Sequence, residues 1–314
     1  MTTARHRALS AHLRAGHGRR VQKIPLDVAA ACPNRDGTLS TGGCTFCSPR
    51  AAGSGLGHLS VAEQWEIWRA RFHAKYGPST AFLAYLQDHT ATHLPFPRLE
   101  HLLRQAAALP DCIGICLSTR PDTLRPEHLA LLRSLGLPET WLDMGLQSAH
   151  DATLARINRG HDAACFARAT TAAAGVGLQV CAHLILGLPG ETEAHWLSSV
   201  DFLNALPVAG IKFHNLFVSR GSLLFAAWEQ GSFVPPSREA YAQGLARCLA
   251  RLRPDVVVHR LHADPAPGEL AAPDWASDRP ALRRAIDSAL ADLDVTQGRD
   301  YTIPPSPIPH RRTP

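Results

Sequence analysis

Short apolar runs alternate with longer amphipathic segments along most of the chain. Seven of the runs are nearly continuous in apolar residues, which is typical of parallel strands buried on both faces. They are residues 21–28, 80–86, 112–117, 141–146, 178–186, 211–218 and 255–261. The segments between them predict helices at about residues 60–76, 98–108, 126–135, 165–174, 191–206 and 238–251. This alternation predicts an α/β fold with a parallel sheet, either barrel-like or doubly wound.

Polar residues and glycines follow the predicted strands. No GxGxxG motif follows a strand, which argues against the dinucleotide-binding version of a doubly wound sheet. In a barrel, the carboxyl ends of the strands and the loops after them carry the chemistry. We therefore expect the loop after the first strand to meet Gln87 and residues 118–122, 147–148, 187–191 and 219–221.

Composition and charge narrow the class of protein. Of the 314 residues, 45% are hydrophobic and 19% are charged, as in globular proteins. The net charge is +5, and residues 1–26 hold six basic residues and no acidic one. This basic segment is either a contact for nucleic-acid phosphate or a solvated extension. No run is apolar enough for a signal peptide or a membrane span, so we expect a cytoplasmic location and no membrane partner.

Three cysteines lie close together after the first predicted strand. Cys32, Cys44 and Cys47 have the spacing C-x11-C-x2-C. In the cytoplasm thiols stay reduced, and clustered thiolates suit zinc or an iron–sulfur cluster. Structural zinc needs four protein ligands, and the nearest fourth candidate is His58, whereas a [4Fe–4S] cluster on three cysteines keeps one iron open. The spacing alone leaves both open. For the other five cysteines we expect only packing roles.

Polar side chains also stand on strands that are otherwise apolar. Lys212 and His214 alternate along the sixth strand, so both face the same way. We predict that they hold or act on a substrate, as the candidate catalytic residues, with ordinary buried residues as the alternative. His259 and Arg260 on the last strand are weaker candidates of the same kind.

Several motifs, taken in their order along the chain, resemble those of one protein family. The segment GRRVQKIPLDVAAACPNRDGTLSTGGCTFC, residues 18–47, resembles the cluster-binding start of YhcC/YtqA-type radical S-adenosylmethionine (SAM) proteins. Their core in turn resembles the Elongator catalytic subunit. The resemblance covers about residues 18–290 and continues through AYLQDHTATHLP, STRPDTL, LDMGLQSAHDATLARINRGHD, HLILGLPGET, IKFHNLFVSRGS and VVVHRLHAD.

The resemblance implies a fold and two cofactors. The fold is a partial (β/α)6 TIM-like barrel of the radical SAM type with short terminal extensions. Its parts are a basic arm at 1–17, the core barrel at 18–265, a C-terminal helical extension at 266–302 and a mobile Pro-rich tail at 303–314. The three loop cysteines would bind a [4Fe–4S] cluster, whose open iron chelates S-adenosylmethionine. An electron then cleaves the sulfonium to methionine and a 5′-deoxyadenosyl radical.

The resemblance also implies seven contacts to S-adenosylmethionine. Phe46 matches the residue near the adenine, Gln147 the partner of the ribose and Arg159 the partner of the methionyl carboxylate. An Arg suits that last role because its planar fork binds a carboxylate through two hydrogen bonds. The remaining positions that match cofactor contacts are Gln87, Ser118, His183 and Ile185.

Three function classes follow. The favoured one is a radical SAM enzyme that modifies tRNA at a wobble uridine, reduced by a flavodoxin- or ferredoxin-type donor, with a methyltransferase as a further partner downstream. The second is a radical SAM enzyme that acts on a small metabolite. The third is a non-catalytic zinc or RNA-binding protein, which the long β/α pattern argues against.

Overall fold

The computed structural model describes residues 4–48 and 53–302. The predicted Pro-rich tail at 303–314 lies outside the described residues, so its mobility stays a prediction. Within the described ranges, no helix is both long and apolar enough to cross a lipid bilayer.

Strands and helices alternate as the apolar pattern predicts. The strands are β1 (Val21–Leu26), β2 (Ala81–Leu86), β3 (Cys112–Thr119), β4 (Glu139–Gln147), β5 (Gln179–Leu186), β6 (Gly210–Asn215), β7 (Val218–Ser219), β8 (Val257–Arg260) and β9 (Leu270–Ala272). The helices are α1 (Leu9–His17), α2 (Val61–Tyr76), α3 (Phe96–Ala107), α4 (Pro126–Ser134), α5 (Asp151–Arg156), α6 (Ala163–Gly175), α7 (Glu193–Asn204), α8 (Leu223–Glu229), α9 (Arg238–Arg251) and α10 (Arg279–Asp292).

Local sequence signals explain where two of the helices begin. The hydroxyl of Ser60 accepts a hydrogen bond from the Glu63 amide, and the Glu63 carboxylate accepts one from the Ser60 amide, which forms a capping box for α2. The carboxylate of Asp162 caps α6 by accepting from the Cys165 amide at 2.7 Å.

The main sheet contains seven parallel strands in the order β1-β2-β3-β4-β5-β6-β8. Every neighbouring pair is parallel, and β1 and β8 form the two edges. The predicted partial barrel of α/β type is therefore confirmed. The seventh strand, β8, pairs through only three residues of β6, so it extends the six-stranded unit at one edge.

The predicted strand at 211–218 is wrong at its end. β6 stops at Asn215, and Val218–Ser219 forms β7, which pairs antiparallel with β9 in a separate two-stranded sheet. At this point the Asn215 side chain accepts a hydrogen bond from the Ala263 amide at 2.8 Å, which joins the end of β6 to the segment after β8. As β9 lies in the predicted helical extension at 266–302, that extension is helical chiefly in α10.

The main apolar core packs around the sheet, and a smaller, separate apolar cluster fills the end of the barrel where the strands start. It includes Val21, Leu83, Trp141 and Val257, and Leu13 of α1 is buried among them at 2% exposure. The described part of the predicted basic arm therefore forms a packed helix and not a solvated extension. Burying one leucine stabilises the fold by roughly 2 kcal/mol. With this end covered by α1, the carboxyl ends of the strands are the remaining place for a site.

Candidate active site

A cavity of about 560 Å³ opens at the carboxyl ends of the parallel strands. Of the weaker candidates, Arg260 lines it and His58 and His259 do not, whereas the twelve main candidates for a metal, a cofactor or a substrate all line it. They are Cys32, Cys44, Phe46, Cys47, Gln87, Ser118, Gln147, Arg159, His183, Ile185, Lys212 and His214. The structure thus brings the candidates together, while their individual roles stay predictions.

Two of the predicted strand-end segments do not reach the cavity. Residues 187–191 and 219–221 are not among its lining residues. Glu191 instead accepts a hydrogen bond from the Ser148 hydroxyl at 2.5 Å, which joins the loops after β4 and β5. The expectation of convergence was wrong for these segments, because β5 and β6 contribute side chains from within the strands.

The cysteine loop is fixed to the sheet at its entry. The Asp88 carboxylate, just after β2, accepts hydrogen bonds from the amides of Val28 and Ala30 at 3.1 and 2.9 Å. The amides of Arg35 and Asp36 then both donate to the Cys32 carbonyl, at 2.8 and 3.1 Å. These bonds hold the first cysteine at the mouth of the barrel.

The second half of the loop folds against the segment after α5. Gly43 has a φ of 74°, which favours glycine, and its amide donates to the Asn34 carbonyl at 2.6 Å. The Asn158 side chain donates to the Gly43 carbonyl at 2.8 Å, and the Thr45 amide donates to the Ile157 carbonyl at 3.0 Å. The loop is therefore braced by the INRGH segment that also carries Arg159.

The sulfur atoms lie among hydrogen-bond donors. Cys44 is buried, and its Sγ accepts from Nδ2 of Asn34 at 3.5 Å and from Nη1 of Arg159 at 3.6 Å. Donors and positive charge next to a sulfur favour the thiolate that binds metal. Burial raises the pKa of the Cys47 thiol, although Arg35 nearby acts in the opposite direction, and metal coordination removes that proton.

The spacing of the sulfurs does not fit tetrahedral zinc. Among the described residues, the only three potential metal ligands within 4.8 Å of one another are Asp143, Cys181 and His183. At least one pair of the loop sulfurs is therefore more than 4.8 Å apart, whereas zinc–sulfur bonds of about 2.3 Å hold the sulfurs of a tetrahedral site about 3.8 Å apart. His58, the candidate fourth zinc ligand, is not among the cavity-lining residues.

The end of β4 has an unusual backbone. Gln147 has a φ of 77°, which side chains other than glycine rarely adopt, and its Oε1 is buried without a hydrogen-bond partner. A Cβ on Gly145 would lie 2.6 Å from both Nη2 of Arg159 and Nε2 of Gln147. A side chain at residue 145 would displace the ends of both of these side chains, and Gln147 lines the cavity.

Arg159 joins the cysteine loop to β4. Beyond its contact with Cys44, its Nη2 donates to the Gly145 carbonyl at 2.7 Å and its Nε to His161 at 2.9 Å. A guanidinium has five N–H donors, so two remain for a ligand. The predicted pairing with a methionyl carboxylate stays a prediction that this placement permits.

A charged cluster forms the closed end of the cavity. Nζ of Lys212 lies 2.6 Å from Oδ2 of Asp143, and Nζ of Lys23 lies 3.5 Å from the same oxygen. Lys212 also donates to the Tyr85 hydroxyl at 2.9 Å, as does Ser118 at 3.2 Å. Burial opposes ionisation of Asp143, but Lys212 and Lys23 hold its pKa well below the usual range.

Burial also controls the histidines around this cluster. It lowers the pKa of His183 and His214 well below the ordinary value, and the charge of Lys212 acts in the same direction on both. Both imidazoles are neutral at pH 7, and their Nε2 atoms are buried without a hydrogen-bond partner. They therefore offer polar atoms to a ligand.

Sequence reasoning did not select three residues of this site individually, although one of them, Arg120, lies in the segment 118–122 that we expected to reach it. Tyr85 looks like a core residue of an apolar strand, and Lys23 lies near the edge of the basic segment. Arg120 is 2% exposed, lines the cavity and is held by Asp122 through two hydrogen bonds of 2.9 Å. The one available signal was that Lys23 and Lys212 are two of only three lysines in the chain, both on predicted strands.

Comparison with known proteins agrees with this geometry. Residues 32–203 match the Radical SAM superfamily, and residues 208–292 match the Radical_SAM C-terminal domain. These two segments meet between α7 and β6, so the predicted boundary at 265 stays a prediction.

Two curated relatives cover most of the chain. Protein YhcC of Escherichia coli is 39% identical over 84% of this chain and 85% of its own length. YtqA of Bacillus subtilis is 33% identical over 96% of this chain and 94% of its own length.

The fold also resembles a solved structure, an N-terminally truncated Elp3 of Methanocaldococcus infernus. The TM-score is 0.67 at 15% identity, over 88% of this chain and 64% of that one. The chain therefore spans somewhat less than two thirds of the solved structure. The superfamily match and the two relatives decide the family: this chain belongs to the radical SAM superfamily, in the group of YhcC and YtqA.

Proposed function

We propose that this chain is an enzyme that binds a [4Fe–4S] cluster through Cys32, Cys44 and Cys47 and binds S-adenosylmethionine beside it. The single observation that carries the proposal is the shared cavity, in which three cysteines border unpartnered polar atoms and a buried charged cluster. Three cysteines without a fourth protein ligand beside them leave one iron of a cubane cluster open, whereas structural zinc needs four protein ligands. A non-catalytic zinc protein would need none of the polar groups deeper in the barrel.

The residues present fit both groups. The cysteine loop supplies three thiolates, and Asn34 and Arg159 donate to the Cys44 sulfur. Gln147 offers a free acceptor of the kind that a ribose hydroxyl needs. Bound here, the cluster and S-adenosylmethionine would supply one-electron cleavage of the sulfonium to methionine and a 5′-deoxyadenosyl radical.

The protein's own residues then position groups and exclude water. Phe46 and Ile185 give the cavity apolar walls, and Ile185 is 6% exposed. Gly145 permits Arg159 and Gln147 to approach each other closely at the cavity wall. Lys212 and His214 contribute a charge and a neutral imidazole at the closed end, where a substrate group would be held.

For the substrate we propose a tRNA uridine at the wobble position. The motif resemblance to the Elongator catalytic-subunit-like core supports this, and the fold similarity to archaeal Elp3 agrees with it. A flavodoxin- or ferredoxin-type protein would supply the electron, and a separate methyltransferase would act downstream. A cytoplasmic location follows from the same proposal.

One observation favours the second candidate, an enzyme acting on a small metabolite. The described part of the basic arm at residues 1–17, for which contact with nucleic acid was one of two alternatives, forms α1, which packs where the strands start. The cavity lies at the opposite ends of the same strands. The charge of α1 therefore does not border the site.

Nucleoside analysis distinguishes the two substrates. We expect total tRNA from a strain that lacks this protein to differ from the parent in one modified uridine, with its precursor accumulating. Mass spectrometry of digested tRNA measures this, and the gene restored in the deletion strain should return the parental profile. An unchanged profile would reject the tRNA proposal and favour the small metabolite.

A further inference from the structure

Two lysines from different strands converge on a single carboxylate at the closed end of the cavity. Lys23 of β1 and Lys212 of β6 both lie against Oδ2 of Asp143 on β4. Asp143 is the only carboxylate that pairs with either ammonium within the described ranges of the chain. Lys212 lines the cavity and Lys23 does not, so Lys212 presents this cluster to a ligand.

The cluster carries an unbalanced positive charge. Burial acts against both ammonium groups, but the Asp143 carboxylate acts in the opposite direction, and the net effect is a raised pKa for Lys23 and for Lys212. Three neighbouring histidines have a lowered pKa and are neutral; they are His183, His214 and His259. The adjacent thiols of Cys116 and Cys181 have a pKa raised by burial, so they add no negative charge. A buried charge without a partner is costly unless a ligand compensates it.

Further uncommitted hydrogen-bonding groups surround the same point. The imidazoles of His183 and His214 lie 5.3 Å apart, centre to centre, and each has a buried Nε2 without a partner. The Tyr85 oxygen accepts from Lys212 and Ser118, which leaves its own O–H to donate elsewhere. A ligand at this place therefore meets hydrogen-bonding groups on several sides.

The alternative to an anion at this place is a metal cation, since possible ligand atoms of Asp143, Cys181 and His183 lie within 4.8 Å of one another. Nζ of Lys212 already occupies the position 2.6 Å from the Asp143 carboxylate. An ammonium so close would repel a metal ion strongly, because a buried site screens charge poorly. The cluster therefore suits an anion.

We infer that the substrate carries an anionic group, a carboxylate or a phosphate, which binds at the closed end of the cavity against Lys212, with Tyr85 as a further donor and the neutral imidazoles of His183 and His214 beside it. This inference rests on the proposed function, because it names the chemistry of that enzyme's substrate. It holds for a modified nucleoside or a metabolite alike, provided that the group reaches the closed end.

The test exploits the fact that the chain contains only three lysines, Lys23, Lys75 and Lys212. Cluster-loaded protein labelled with [ε-13C]lysine is titrated with acetate, inorganic phosphate and acetamide, the neutral analogue of acetate, and followed by NMR. We expect saturable shifts of the Lys212 signal, with dissociation constants on the order of millimolar for such small probes. Saturation by acetate identifies a carboxylate site and saturation by phosphate a phosphate site. Acetamide should have no such effect, and the exposed Lys75 should not respond.

A pair of matched variants sharpens the result. Lys212→Met should weaken anion binding, followed through the Lys23 signal, by about tenfold or more, and Lys75→Met should leave it unchanged. The inference is overturned if neither anion gives a saturable shift, if acetamide acts like acetate, or if Lys212→Met binds as tightly as the unmodified protein. The comparison of acetate with acetamide uses the unmodified protein. It therefore tests the inference even if the Lys212→Met variant does not fold.

The proposed function is assayed separately in the unmodified protein, by cleavage of S-adenosylmethionine. Cleavage without anion binding refutes only this inference. Anion binding without a cluster or cleavage refutes only the proposed function.

Discussion

Replacing Cys44 with alanine abolishes both the iron–sulfur cluster and the cleavage of S-adenosylmethionine. Cys44 is the buried member of the three cavity cysteines, and its sulfur accepts two hydrogen bonds that alanine cannot accept. Two thiolates cannot hold the cubane in the way that three can. Iron and sulfide content, visible absorption and 5′-deoxyadenosine formation after anaerobic reconstitution measure the loss.

The matched control is Cys165→Ala. Cys165 lies half-buried on α6, is not among the cavity-lining residues, and has a pKa that burial raises. We expect this variant to keep its cluster and its activity. A Cys44→Ala protein with a full cluster, or an equal loss in Cys165→Ala, would show that the cavity cysteines do not hold the metal.

The Asp143→Asn variant loses about 3–5 kcal/mol of unfolding free energy, as expected when one partner of a buried ion pair is removed. The substitution leaves the ammonium groups of Lys23 and Lys212 buried without a counter-charge. Chemical denaturation at neutral pH measures this loss. The control is Asp201→Asn, which breaks an exposed ion pair with Arg251 and should cost less than about 1 kcal/mol.

The unfolding free energy lost in Asp143→Asn should also depend on pH. Without Asp143, burial lowers the pKa of both lysines in the folded state, so the unfolded chain binds more protons. Stability of the variant then rises with pH. In the unmodified protein Asp143 keeps a lowered pKa and Lys212 a raised one, so the contribution of the pair holds through the neutral range. The difference in unfolding free energy between the unmodified protein and Asp143→Asn should therefore shrink from pH 6 to pH 9. A difference that stays constant or grows would contradict the assigned ion pair.

The sequence predicted the positions of the parallel strands and of the cysteine loop, because both rest on local pattern. Parallel strands appear as apolar runs, and loops after them carry the polar residues. The predicted end of the sixth strand was wrong because Val218 and Ser219 pair with β9, a segment about 50 residues further along the chain. No periodicity shows such a contact.

The charged cluster depended on tertiary geometry that a sequence does not display. Asp143 on β4 and Lys212 on β6 are separated by β5 in the sheet, and the curvature of the barrel lets their side chains meet. Tyr85 on β2 reaches Lys212 across the same interior. Apolar pattern alone assigns such a tyrosine to the core, and the orphaned Gln147 acceptor is equally invisible before its backbone angle is known.

The most direct test of the account is the reaction of S-adenosylmethionine with the anaerobically reconstituted, reduced, unmodified protein. We expect a brown protein with about four irons and four sulfides per chain, which forms 5′-deoxyadenosine and methionine in equal amounts. A colourless protein that holds one tightly bound zinc ion and leaves S-adenosylmethionine intact would contradict the account.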